Sequence, residues 1–127
     1  MAVAVQEPIT SVDLVTEAVL SVYQAKVENA TEMALAEFIE APRSVGAVRA
    51  VVAPRERIVE IALDDESSPE TLMDVAWVLD DRAWKLNVLV GLSRLGEAHT
   101  ALRGAPLTLQ GWWYEADAVH FAGYELP

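Results

Sequence analysis

Two runs of acidic residues are the first places in this sequence where chemistry could be expected. Asp64, Asp65 and Glu66 form one run, and Asp80 and Asp81 form the other. Paired carboxylates can hold a metal ion or act as general acid and base. The first run resembles the start of a calcium loop, but the glycine and the terminal bidentate glutamate of such a loop are missing. Acidic runs beside predicted helix ends are usually solvated, so a metal-dependent hydrolase is the least favoured function.

Histidine and serine add little to this chemistry. His99 falls in a predicted helix and His120 in a predicted strand, and neither has a second ligand at a suitable spacing. Ser93, in GLSRLG, does not stand in the Gly-x-Ser-x-Gly sequence of a nucleophile elbow. The chain contains no cysteine, which excludes thiolate nucleophiles and thiolate ligands, and it contains no phosphate-binding glycine motif. We therefore predict no catalytic residue, no metal site and no cofactor, and we favour a protein that is not an enzyme.

Side chains typical of binding surfaces are concentrated near the C-terminus. The segment GWWYEADAVHFAGYE, residues 111–125, holds five of the nine aromatic residues of the chain and one of its two histidines. Trp, Tyr and Arg are the residues most enriched where binding energy concentrates. Some of these aromatics must also be core in a domain of this size, and that alternative stays open. The residues predicted to bind a partner or ligand are Trp112, Trp113, Tyr114, His120, Tyr124, Arg49 and Arg57.

The charge distribution limits the class of partner. The net charge is −11, and residues 64–81 carry seven acids and no base, whereas residues 41–63 and 82–105 carry an excess of bases. This alternation indicates complementary patches, within one molecule or across a homodimer. Nucleic acid is not predicted as a partner because a concentrated basic face is lacking. A membrane is not predicted either, because no apolar run reaches the length of a span. Without a signal-peptide pattern, a cytoplasmic location is expected.

One domain over residues 1–127 must position these residues, with residues 1–9 as a flexible tail. Apolar residues three and four positions apart predict a long helix from Thr10 to about Ile39. A break near Asn29 and Thr31 is not excluded. β-Branched residues on both sides of the sequence APRE then predict a hairpin over residues 44–63. A helix follows, which begins at Ser67 or Ser68.

Residues 84–92 fit both a helix and a strand, and we predict a strand because Gly91 and the β-branched residues disfavour a helix. A short helix and a C-terminal hairpin over residues 107–126, with a turn around EADA, complete the chain. The order α-β-β-α-β-α-β-β indicates an α+β domain. We expect a mostly antiparallel sheet of about five strands, formed by two hairpins plus one strand. A long N-terminal helix and two shorter helices pack against it.

These expectations lead to one preferred function and two alternatives. The preferred function is a non-enzymatic, homodimeric protein-interaction module that binds or masks another protein and is chaperone-, antitoxin- or immunity-like in character. The first alternative is a small-molecule-binding domain, with an aromatic pocket of Trp112, Tyr114, His120 and Tyr124 between the sheet and the long helix. The metal-dependent hydrolase is the second. No family motif in the sequence decides between them.

Overall fold

The computed structural model describes residues 11–26, 29–41 and 43–127, so the predicted tail over residues 1–9 lies outside the described residues. The described chain forms one sheet with helices on both of its faces. The helices are α1 Ser11–Ala25, α2 Leu35–Phe38, α3 Arg43–Gly46, α4 Met73–Asp81 and α5 Leu95–Ala101. The strands are β1 Thr31–Ala34, β2 Arg49–Ala53, β3 Ile58–Ala62, β4 Lys85–Gly91, β5 Thr108–Glu115 and β6 Ala118–Glu125. Single 3-10 turns over Pro69–Leu72 and Leu92–Arg94 lead into α4 and α5.

The six strands lie side by side in chain order, and the sheet is mixed. β1–β2, β2–β3 and β5–β6 are antiparallel, whereas β3–β4 and β4–β5 are parallel. The prediction of a mostly antiparallel five-stranded sheet is therefore wrong, although the broad α+β class fits. The pairs are parallel because α4 and α5 each carry the chain back to the end of the sheet at which the previous strand began. The next strand therefore runs in the same direction.

The additional strand comes from the segment predicted to be a long helix. α1 ends at Ala25, and β1 pairs with β2 at the edge of the sheet. Ala30 and Phe38 continue the helical spacing of α1, which is why the pattern is misleading. Pairing with β2 satisfies the backbone of a segment that opens with the β-branched Thr31, and this tertiary pairing overrides a weak helical preference. The predicted long helix is replaced by a helix, a strand and a helical turn.

Three other predictions of local structure are confirmed. The ambiguous segment 84–92 is a strand, β4, which is buried from Leu86 to Val90. The 3-10 turn that leads into α4 starts at Pro69, directly after Ser68, although the Ser68 side chain makes no capping hydrogen bond. The C-terminal hairpin is formed by β5 and β6 and is closed by a two-residue turn. Both turn residues, Ala116 and Asp117, have positive φ angles, of 53° and 59°, as a type I′ turn requires.

The core consists of two apolar layers, one on each face of the sheet. α4 and α5, together with α2 and α3, cover the first face, where Leu79, Ile61 and Leu109 are fully buried. Among the described helices, α1 covers the second face, where Val15 packs in one cluster with Leu89. No helix within the described ranges is both long enough and apolar enough to cross a bilayer.

Candidate functional site

The acidic run that follows β3 is organised by an arginine. Arg94 donates from Nη1 to the backbone oxygens of Asp64 and Asp65, at 2.9 Å each, and from Nη2 to that of Ser67 at 2.8 Å. Its guanidinium also pairs with the Glu97 carboxylate at 3.1 Å, and this hydrogen bond lowers the pKa of Glu97. In the described part of the chain, no three acids or histidines are grouped so that they could hold a metal ion.

The aromatic residues of the C-terminal hairpin are divided between the two faces of the sheet. Trp112 pairs with Phe121 across the hairpin and packs into the layer under α1; its buried Nε1 has no hydrogen-bond partner. Trp113 lies on the opposite face and stacks on His120, with ring centroids 5.4 Å apart. The hairpin is therefore aromatic on both faces, as its alternation predicts.

The two arginines predicted to bind a partner lie away from this hairpin. Arg49 on β2 pairs with Glu32 on β1 at 3.1 Å. Arg57 precedes β3 and donates to the backbone oxygen of Ala83 at 3.1 Å. Its guanidinium also lies 4.8 Å from the centre of the Trp84 ring. Both side chains make contacts within the chain.

A cavity of about 650 Å³ opens at the amino ends of the three parallel strands, a size typical of small-molecule sites. Its wall includes the first residues of β3, β4 and β5, the loop before β5, residues near the end of α1, and the end of β6. Its apolar surface comes from side chains such as Ile58, Trp84 and Leu107. The tyrosine and charged side chains that line it are Tyr23, Tyr124, Glu56, Glu60, Asp80 and Lys85.

The floor of this cavity is a hydrogen-bonded cluster on three adjacent strands. Glu60 and Asn87 are neighbours across β3 and β4, and they are only 6% and 3% exposed. Asn87 Nδ2 donates to Glu60 Oε1 at 2.7 Å and to Gln110 Oε1 at 3.0 Å. The Thr108 hydroxyl donates to Asn87 Oδ1 at 2.8 Å. Because a carboxylate only accepts hydrogen bonds, Glu60 fixes which side of the Asn87 amide faces it.

Two tyrosines flank this polar floor. Tyr23, near the end of α1, is 5% exposed. Burial raises the pKa of Tyr23 above its ordinary value, and a hydrogen bond to Glu60 raises it further. Tyr124, on β6, lies beside Gln110 and is 67% exposed. The pKa of Tyr124 is also raised. Partial burial of its hydroxyl is the larger cause, and the negative charges of Glu60 and Glu56 add to it. Both phenols therefore stay neutral and remain hydrogen-bond donors at neutral pH.

A carboxylate buried between strands is costly for folding, because it loses water and regains only part of that interaction from its neighbours. Apolar residues of similar size in place of Glu60 and Asn87 would stabilise the fold at least as well. A buried ionisable group at the floor of a cleft is a common feature of ligand sites. The arrangement can orient a ligand by hydrogen bonds at its floor, while the aromatic walls cover the ligand's apolar part.

Sequence reasoning did not select the residues of this floor. Of the four residues predicted to line an aromatic pocket, the structure places Tyr124 at the cavity and His120 on the opposite face of the sheet. The signal for the floor was a single polar residue inside each of two otherwise apolar strands. Glu60 is the third residue of IVEIA. Asn87 is the third residue of KLNVLVG, which is otherwise apolar after Lys85 at its start.

Comparison with known protein families, with characterised proteins and with solved structures finds no match to this chain. The function is therefore argued from the cavity and its residues alone.

Proposed function

We propose that this protein is a small-molecule-binding domain whose ligand occupies the cavity at the amino ends of β3, β4 and β5. The observation that carries the proposal is the buried Glu60 carboxylate at the floor of a cavity of about 650 Å³. Ligand sites are mostly apolar concavities with a few polar groups that fix orientation. The Glu60–Asn87–Thr108 cluster supplies such groups, and Trp84 and Tyr124 supply the apolar wall.

The test is a thermal-shift screen of small metabolites, followed by two matched tyrosine variants. A ligand at about 100 times its dissociation constant adds about 2.7 kcal/mol to the free energy of unfolding. Tyr124→Ala removes a wall of the cavity. Tyr114→Ala removes an equally large ring from the same hairpin, and Tyr114 is 53% exposed and does not line the cavity.

The expected result is a ligand whose shift is lost or strongly reduced in Tyr124→Ala and unchanged in Tyr114→Ala. Loss of a stacked aromatic contact of this kind weakens binding by about 1 kcal/mol or more. A ligand whose shift responds to both variants equally, or a screen without a single stabilising compound, would contradict the proposal.

The second candidate function is the homodimeric protein-interaction module, and the outer strand β6 is the observation that favours it. β6 is eight residues long and ends the sheet. It carries the exposed Tyr124, and the 79% exposed Leu126 follows it. Edge strands with exposed aromatic and apolar side chains add a strand from a second chain. Pairing of β6 with β6 of a second copy would extend the sheet.

Light scattering at low and high salt tests this second candidate. A dimer formed by strand pairing and apolar contacts keeps its mass in high salt, whereas a dimer held by the alternating charges dissociates. A monomeric mass at every protein concentration would contradict the homodimer and leave the ligand site as the preferred function.

A further inference from the structure

The charged side chains that line the cavity are mostly acidic. Glu56, Glu60 and Asp80 face it together with a single base, Lys85. Glu60 is the buried member of this set, at 6% exposed. Asn87 Nδ2 donates to its carboxylate at 2.7 Å, and both the Asn87 amide and the neighbouring Tyr23 hydroxyl are neutral groups. The charge of the Glu60 carboxylate is therefore solvated by dipoles and is not cancelled by them.

The hydrogen-bond donors of the floor are already used within the protein. Both hydrogens of Asn87 Nδ2 are occupied, by Glu60 and by Gln110. The Thr108 hydroxyl is bound to Asn87. Gln110 Nε2 donates one hydrogen to the backbone oxygen of Ala122 at 2.9 Å. A carboxylate has about four acceptor positions, and Asn87 fills one of them. The floor thus offers mainly acceptors to a ligand, which must bring the donors.

The walls favour positive charge as well. The rings of Tyr23, Tyr124 and Trp84 line the cavity, and the negative face of an aromatic ring attracts a cation. Two of these rings already have a cation over one face within the chain, so a ligand cation would use the Tyr124 ring or an opposite ring face. The Lys26 ammonium lies 5.8 Å from the centre of the Tyr23 ring, and the Arg57 guanidinium lies 4.8 Å from that of Trp84.

We propose that the ligand of this cavity is an organic cation, an ammonium or guanidinium group on a flat or apolar body, whose charged group pairs with Glu60. This inference rests on the proposed function, because it names the chemical class of the ligand for that same site. The body of the ligand lies against the aromatic rings and the apolar wall. An anionic ligand of the same shape is rejected, because it would meet an uncompensated carboxylate at the floor.

Three indole compounds that share one ring system and a two-carbon arm test the charge preference. Tryptamine carries an ammonium, tryptophol a neutral hydroxyl and indole-3-acetate a carboxylate. They are titrated against the full chain by calorimetry, beside a screening set with equal numbers of cationic, neutral and anionic compounds of similar size. We expect cations to bind about ten- to a hundredfold more tightly than their neutral counterparts, and anions not to bind.

Glu60→Gln is the decisive variant, because it removes the charge and keeps an oxygen that accepts from Asn87 and Tyr23. Glu66→Gln is its matched control, since it removes the same charge from an exposed residue in the loop that follows β3. Asp80→Asn, at the cavity, is the second variant in case Glu60→Gln folds poorly by circular dichroism. The expected result is loss of the ten- to hundredfold cation preference in Glu60→Gln, a weaker loss in Asp80→Asn and none in Glu66→Gln.

The outcomes separate this inference from the function on which it rests. Neutral or anionic compounds that bind as tightly as cations, with sensitivity to Tyr124→Ala, would overturn the cation inference and leave the binding site standing. An equal loss of cation affinity in Glu60→Gln and Glu66→Gln would also overturn the cation inference. General attraction of cations to an acidic protein would then explain the binding. Absence of binding by every class of compound would overturn both.

Discussion

The carboxylates at the two ends of the parallel strands differ in burial and in their hydrogen-bond partners. At the carboxyl end, Asp64 and Asp65 are exposed, and Arg94 binds the backbone oxygens of both. At the amino end, Glu60 and Asn87 are buried, and the donors to the Glu60 carboxylate are neutral groups. The carboxyl end is an ordered loop whose acidic side chains are exposed to water. The other end is a cavity whose charge lies beneath apolar and aromatic walls, and this difference makes it the better candidate for a ligand site.

The strand order explains why the cavity of about 650 Å³ lies at the amino end, whereas the clefts of about 360 and 410 Å³ at the carboxyl end of β3 are smaller. Ligands of open parallel sheets bind there at a switch point, where neighbouring crossovers diverge to opposite faces and leave a crevice. β3, β4 and β5 follow one another in chain order, and α4 and α5 lie on the same face. Neighbouring connections therefore do not separate at the carboxyl end. At the amino end, α1 and β6 extend the wall beyond the sheet.

The largest expected effect comes from breaking the buried cluster. Asn87→Leu keeps the side-chain volume but leaves Glu60 without its 2.7 Å donor and Thr108 without its acceptor. We expect the free energy of unfolding to fall by about 2–4 kcal/mol, measured by urea denaturation. The quadruple variant Tyr23→Phe, Glu60→Met, Asn87→Leu, Thr108→Val replaces the whole cluster by apolar groups and should lie within about 1 kcal/mol of the natural chain. A negligible effect of the single variant would mean that water solvates the cluster.

The matching change at the carboxyl end is Arg94→Met, which removes the donors to three backbone oxygens. We expect a smaller loss of stability than for Asn87→Leu, because water can replace donors at this exposed loop. Amide hydrogen exchange should accelerate in residues 64–68 and stay unchanged at the cavity. Arg103→Met, at the exposed end of α5, is the control. Equal protection of the loop in both variants would contradict the role given to Arg94.

The third effect is a loss of stability at alkaline pH, and it arises from Tyr23 at the amino end of the strands. The pKa of Tyr23 is raised in the folded state from an ordinary value of 10.0. Above that pH the unfolded chain loses the phenolic proton and the folded chain keeps it, so the free energy of unfolding decreases as pH rises, by up to about 1.4 kcal/mol per pH unit. Tyr23→Phe should remove this part of the slope between pH 10 and 11. Identical slopes in the two proteins would show that the hydroxyl titrates freely.

The smallest effect separates stability from binding. The turn residues Ala116 and Asp117 both have positive φ angles, which Asn and Gly adopt more readily. Ala116→Asn with Asp117→Gly should raise the free energy of unfolding by about 0.5–1 kcal/mol. Because the turn closes the hairpin at the end opposite the cavity, ligand affinity should stay the same. A change in affinity would mean that the two ends are coupled through β5 and β6.

The sequence predicts local elements better than their arrangement. The strand at residues 84–92 and both hairpins follow from alternation and turn residues, which act between neighbours in the chain. The parallel pairs depend on which strands meet, and β1 depends on its partner β2. The alternation of β3, α4, β4, α5 and β5 nevertheless contained the signal for a parallel arrangement, because helical crossovers are typical of parallel strands.

The candidate site was harder to predict because its residues come from distant elements. Aromatic content drew attention to residues 111–125, and Tyr124 is the residue of that prediction that lines the cavity. The role of Glu60 depends on its hydrogen bond to Asn87 on β4, a strand 27 residues away in the sequence. A charged residue in an apolar strand is ambiguous until its neighbours are known. Whether the hairpin also binds a protein partner stays a prediction.

The side-by-side order of the strands also matters for how the chain is made. Every ladder of the sheet joins two strands that are consecutive in the sequence, so each new strand can add to the edge left by the one before it. No strand has to insert between two that have already paired. A ribosome releases the N-terminal part first, and this sheet can therefore grow one strand at a time during synthesis. The contacts between α1 and β6 span almost the whole described chain, so the cavity can be completed only after β6 has been synthesised.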